Sequence, residues 1–201
     1  AHAQGSAADD DRADDDRTEV VRQLLDAGAE VDASDSDGVT PLMFACRDGL
    51  VEVAELLLNA GAALNTPIED GEDGWGPTPL AISCVQDEAE PQALLKRKIE
   101  VVRQLLSVRA EPDLRARCGA TPLTLAASHG SWEIAHLLLE ASANVDLAGE
   151  NELAPLFVAA EAGHVETARL LLAAGANIER PDEDGCTALL IACCYGKLAV
   201  V

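Results

Sequence analysis

Five glutamates, Glu19, Glu52, Glu100, Glu133 and Glu166, open the same apolar phrase at intervals of 33, 48, 33 and 33 residues. A period of this size marks a stack of small supersecondary units, none of which buries its apolar face alone. The clearest copies of the phrase begin at Thr40-Pro41-Leu42, Thr121-Pro122-Leu123 and Ala154-Pro155-Leu156. Each continues into a small-residue segment, a Leu-Leu-Leu segment and Gly-Ala or a degenerate form of it. Stacks of this kind offer long surfaces rather than deep catalytic pockets.

The local chemistry of one copy predicts two helices. Gly38 in Asp37-Gly38-Val39 takes positive φ without a Cβ penalty. Thr40 is a good N-cap, and Pro41 fits the first helical position, where its missing N–H is not needed. Leu42, Ala45 and Cys46 then face inward until Gly49 breaks the helix. A second helix begins near Val51, and its Val53, Leu56 and Leu57 form an apolar stripe at helical spacing. Gly61 supplies the left-handed cap, and an extended stretch runs from Ala62 to Asn65.

The pattern Asp-x-x-Gly-x-Thr-Pro-Leu, Ala-Ala, Gly-x-x-Glu, Leu-Leu-Leu, Gly-Ala closely resembles the ankyrin repeat over about residues 18–201. The resemblance implies an all-α solenoid of antiparallel helix pairs with β-hairpin fingers projecting from it. It also implies a concave face, made of fingers and first helices, that binds protein partners. By this reading a partial repeat covers 1–32, followed by 33–65, 66–113, 114–146, 147–179 and a truncated 180–201. The third copy holds all 15 extra residues. Five lengthen its finger, and ten lengthen the link between its helices, about 86–98, which is expected as a surface loop. Residues 19–25 and 100–106 are identical, Glu-Val-Val-Arg-Gln-Leu-Leu. Residues 1–17 therefore read either as a similar acidic link between helices or as a disordered extension. The chain begins at Ala1 rather than Met and stops two residues past the place of a sixth glutamate, so a piece of a longer protein is expected.

Net charge excludes whole partner classes. At −22 the chain repels phosphate backbones and anionic lipid surfaces, which leaves a protein partner, possibly with a basic patch. A monomer is expected. Six cysteines form no CxxC pair, and Cys46, Cys84 and Cys193 occupy one small-residue position, as core filler. Unpaired thiols favour a reducing, intracellular setting, the cytoplasm first, with the nucleus also compatible. His2, His129, His136 and His164 fall at unrelated places, and no Walker A loop, dinucleotide fingerprint or HExxH occurs, so neither catalysis, cofactor nor metal is expected.

The array departs from the family where His usually follows Thr-Pro-Leu: Met43, Ala81, Thr124, Phe157 and Leu190 stand there instead. Arg109 and Ser142 replace two cap glycines, and Glu152 replaces a turn glycine, so the segment near 105–155 is expected to be the softest.

Family geometry nominates the partner-binding positions: Asp35, Asp37, Val39, Arg47 and Asp48; Trp75 and Pro77; Arg117, Ser128 and His129; Glu150, Asn151 and Glu161. Trp75 is the sharpest of them, among acids and glycines, either a binding hot spot or a ring folded over its own loop. Trp132, at the place of Val51 and Val165, is expected to pack. Asn65 lies where the family can carry a hydroxylated asparagine. The array thus reads as an adaptor or scaffold, with a regulatory or substrate-targeting arm of a larger enzyme or channel as the alternative.

Overall fold

The computed structural model describes residues 7–66, 76–86, 91–116 and 118–196, with backbone alone at 7–15 and 150. Its helices are α1 (Ala7–Asp26), α2 (Pro41–Asp48), α3 (Val51–Asn59), α4 (Pro79–Ser83) and α5 (Gln92–Ser107). They continue with α6 (Pro122–Ser128), α7 (Trp132–Glu140), α8 (Pro155–Ala162), α9 (Val165–Ala173) and α10 (Ala188–Cys194). One 3-10 turn spans Glu150–Glu152.

The helices form two rows. First helices α2, α4, α6, α8 and α10 stack on one another, as do second helices α1, α3, α5, α7 and α9, and α2, α4, α6 and α8 each pack on the second helix that follows. The core lies between the rows: Leu42, Leu80, Leu123 and Leu156 from one, and Leu57, Leu105, Leu138 and Leu171 from the other. No strand forms among the described residues. The finger loops are closed by single bonds instead, from the N–H groups of Asp35, Ala116, Gly149 and Asp182 to the carbonyls of Val39, Ala120, Leu153 and Cys186.

The start and stop chemistry acts as the sequence predicts. Thr40, Thr78, Thr121 and Thr187 each accept a bond from the N–H three residues on, and all but the last are followed by proline. Ala154 has no such side chain, and α8 begins on Pro155 alone. Second helices end through a left-handed residue: Gly28, Gly61, Arg109, Ser142 and Gly175 have φ between 68° and 88°. The next N–H reaches back to the buried leucine of its own helix, as Ala62 does to Leu57 and Ala143 to Leu138. A Cβ at Gly61 or Gly175 meets nothing within 4 Å, so Arg109 and Ser142 pay no steric toll at this cap, only the backbone one. Arg109→Gly and Ser142→Gly should each stabilise the array by about 1 kcal/mol in denaturant titrations. The gain should appear as slower amide exchange across 105–155, the segment expected to exchange fastest in the parent chain.

Two expected loops are helical. The acidic N-terminal segment, read as a link or an extension, enters α1 at Ala7. The ten-residue insertion is likewise drawn largely into α5, which starts eight residues before Glu100. Gln-Ala-Leu-Leu-Lys-Arg-Lys is a run of good helix formers. Its extra turns pack back onto α2, where a Cβ on Gly49 (φ 62°) would lie 2.9 Å from Leu94 and 3.1 Å from Arg97 Cβ. Lys98 is 5% exposed, and its Nζ donates to the Val85 carbonyl at 2.8 Å, which ties α5 to the end of α4. The insertion welds two repeats together rather than looping away from them.

Candidate functional site

The extended stretches carry a ladder with the period of the repeat. Asp32 accepts from Ala63 N–H at 2.9 Å, Asn65 from Glu111 N–H at 3.1 Å, Asp113 from Asn144 N–H at 2.9 Å, and Asp146 from Asn177 N–H at 2.9 Å. Asn65 thus holds its repeat to the next through Oδ1, a task performed by aspartate in the other copies. The carboxylates of two fingers act locally as well. Asp35 accepts from Asp37 and Val39 N–H, and Asp182 from Asp184 and Cys186 N–H, as side-chain-closed turns.

These contacts sort the nominated positions. Asp35, Asp37, Arg47, Asp48 and Asn151 are exposed, while Ser128, His129 and Glu161 are half-buried on their first helices. Val39 is half-buried and Pro77 is buried, against the surface role expected for them. In four copies the residue before the N-cap, Val39, Ala120, Leu153 or Cys186, carries the carbonyl that closes the finger, and its side chain is half-buried or buried. Trp75, Arg117 and the side chain of Glu150 lie outside the described residues. Asn151 has φ 54° and Glu152 φ 57°, so the fifth finger is held by two left-handed non-glycine residues. Arg180 braces it by pairing with Glu152 at 3.8 Å and donating to the Asp146 carbonyl.

One surface feature escaped the sequence reading. The fourth residue after each N-cap is apolar in every copy: Phe44, Ile82, Leu125, Val158 and Ile191. They stand at one register position along the whole first-helix row. Phe44 is 38% exposed, Ile82 is buried in the core, and the other three are half-buried, with Leu125 and Ile191 packed against that core. Arg47 lies with Cζ 4.9 Å above the Phe44 ring and grips Asp48 by two bonds, of 2.8 and 3.2 Å. Asp48 raises the Arg47 pKa, chiefly through this hydrogen bonding. The signal was the strict apolar choice at one register position of every first helix.

The thiols divide by place. Burial pushes the Cys46 thiol up to about 12, against a lowering hydrogen bond with Ser83, and raises Cys84 further, so both stay protonated and inert. Cys193, expected in the core, is exposed together with Cys194, because among the described residues no second helix covers that side of α10. Among the described residues no group of three or more His, Cys, Asp or Glu is placed to hold a metal ion.

A family model described as ankyrin repeats (3 copies) matches residues 12–98, 91–182 and 145–201. The chain belongs to the ankyrin-repeat family. Ankyrin repeats are generally protein–protein interaction modules and are typically not catalytic. This ankyrin array is 36% identical over 115 residues to the ankyrin repeat and KH domain-containing protein mask-1 of Caenorhabditis elegans, covering 57% of this chain and 4% of that protein. It is 36% identical over 113 residues to the ankyrin repeat, SAM and basic leucine zipper domain-containing protein 1 of Echinops telfairi, covering 56% of this chain and 21% of that protein. The rabbit (Oryctolagus cuniculus) form of the latter is 35% identical over 113 residues, covering 56% and 22%. The aligned regions thus span about a fifth or less of these curated relatives. No described helix of the array is long and apolar enough to cross a membrane.

Proposed function

We propose that this array is an adaptor that binds a protein partner across its first-helix face. The apolar register of Phe44, Ile82, Leu125, Val158 and Ile191 carries the reading. Phe44 opens to a partner, and the half-buried Leu125, Val158 and Ile191 extend the contact past the buried Ile82, flanked by Asp35, Asp37, Asp48 and Glu161 and by the Arg47–Phe44 stack. An exposed aromatic under a guanidinium, at the edge of such a row, has the make-up of a binding hot spot. The acids at the rim favour a partner with basic residues and contribute mainly to the rate of encounter. A net charge of −22 argues against nucleic acid, and unpaired thiols argue for a reducing compartment such as the cytoplasm.

The test is affinity enrichment with the parent chain and a Phe44→Ala/Arg47→Ala variant that keeps its far-UV circular dichroism. A partner retained by the first should bind the second at least about tenfold more weakly, the usual effect of truncating a hot-spot anchor. Identical retention by both proteins would remove the first-helix face from consideration. A second reading rests on the relatives, whose names join ankyrin repeats to other domains. In it the array is the regulatory or substrate-targeting arm of a larger enzyme or channel, and the same face engages a segment of its own protein.

A further inference from the structure

Three of the five second helices display an ion pair three residues apart; α3, with Glu55 in the arginine's place, and α7, beside an exposed tryptophan, lack it. Glu19–Arg22, Glu100–Arg103 and Glu166–Arg169 close at 2.6, 3.3 and 2.7 Å. In α7 the arginine's place is taken by His136, which lies 3.5 Å from Glu140, so Glu133 has no cation partner among the described residues. One residue earlier, where α3, α5 and α9 carry Val51, Ile99 and Val165, α7 carries Trp132. It is 46% exposed rather than packed as expected, because this half-covered position leaves the far side of so large a ring outside.

Trp132, Glu133, His136, Leu137 and Glu140 form one wall of an open groove of about 350 Å³, and Ile99 and Arg103 form the other. We propose that this groove takes an arginine or lysine side chain, with an apolar neighbour, from a protein partner. The cation lies over the indole of Trp132 and meets the carboxylate of Glu133, while the neighbour rests on Ile99 and Leu137. Charge selects this occupant: of the lining groups, Arg103 is drawn to Glu100 and His136 lies 3.5 Å from Glu140, which leaves Glu133 as the carboxylate without a cation among the described residues. An acidic segment would meet Glu133 and Glu140 here. The groove belongs to the second-helix row, so it stands apart from the first-helix face proposed above.

The two indole N–H signals make the test direct, with Trp132 assigned through a Trp75→Phe variant of the whole chain. Titration with N-acetyl-Leu-Arg-amide should shift the Trp132 signal to saturation in the millimolar range, as suits so small a ligand. Glu133→Gln should weaken the titration about threefold, the scale of one exposed charge pair. N-acetyl-Leu-Glu-amide should leave the signal in place, and Phe44→Ala should titrate as the parent does. Equal shifts from the two dipeptides, or an unchanged affinity in Glu133→Gln, would overturn the assignment.

Discussion

Truncating Leu138 to alanine should lower the unfolding free energy by about 2–5 kcal/mol, the range for emptying a well-packed leucine site. Leu138 is fully buried in the last turn of α7, and α7 packs on three helices: its own partner α6 and its row neighbours α5 and α9. In a stack, stability is a sum of unit terms and interface terms, so a cavity at this centre weakens several of them at once. Urea titration followed by far-UV circular dichroism should show an earlier midpoint. It should also show a shallower slope, as the halves on either side of α7 begin to unfold separately. Leu172→Ala is the control: that side chain is 44% exposed at the end of the row and should change stability by less than about 1 kcal/mol. A loss below that value for Leu138→Ala would mean that Leu138 is not packed in solution as the structure has it.

Gly130→Ala should destabilise by about 2–3 kcal/mol for a reason the sequence does not display. Gly130 has φ 71°, and a Cβ there would lie 2.5 Å from Nδ1 and 2.8 Å from Cγ and Cε1 of His164. That ring crosses from the next repeat and holds the Ser128 carbonyl through Nε2 at 2.9 Å. An added methyl must displace the ring, which forfeits the bond, about 1 kcal/mol, and it leaves alanine in a left-handed conformation, about another. A double-mutant cycle with His164→Ala separates the two terms. With the ring gone, Gly130→Ala should cost only the backbone part, about 1 kcal/mol, and the coupling energy should make up the difference. Strict additivity of the two substitutions would mean that the ring does not rest on Gly130 in solution.

Much of the architecture was readable because its determinants are local. Threonine N-caps, prolines at the first helical position, Gly49 as a breaker and the left-handed residues at 109 and 142 all act within four or five residues of chain. Their physics is complete without knowledge of the neighbouring repeat. The ladder of Asp32, Asn65, Asp113 and Asp146 repeats at the same 33- and 48-residue intervals as the glutamates, yet each side chain read alone is a common turn residue. Its role appeared only with the partner amide, which lies 31 or more residues away.

The site was legible in part. Asp35, Asp37, Arg47 and Asp48 are exposed, in keeping with the family geometry that nominated them. Val39 lies half-buried where its carbonyl closes a finger, a constraint of tertiary assembly rather than of residue type. The apolar row from Phe44 to Ile191 was visible in principle, since helical register sets which face a residue takes and the repeat aligns those faces.

Sequence alone determined the family, the two-helix unit, the capping and the acidity of this protein, because each follows from short-range sterics, hydrogen bonding or the sum of charges. Only the tertiary structure decided that the insertion becomes two helical turns anchored by buried Lys98. It also decided that Trp132 stands half open beside an unpaired Glu133. Both outcomes depend on what the neighbouring repeat places against them, Gly49 and Val85 in one case and Ile99 and Arg103 in the other. That is a matter of packing between segments distant in the chain.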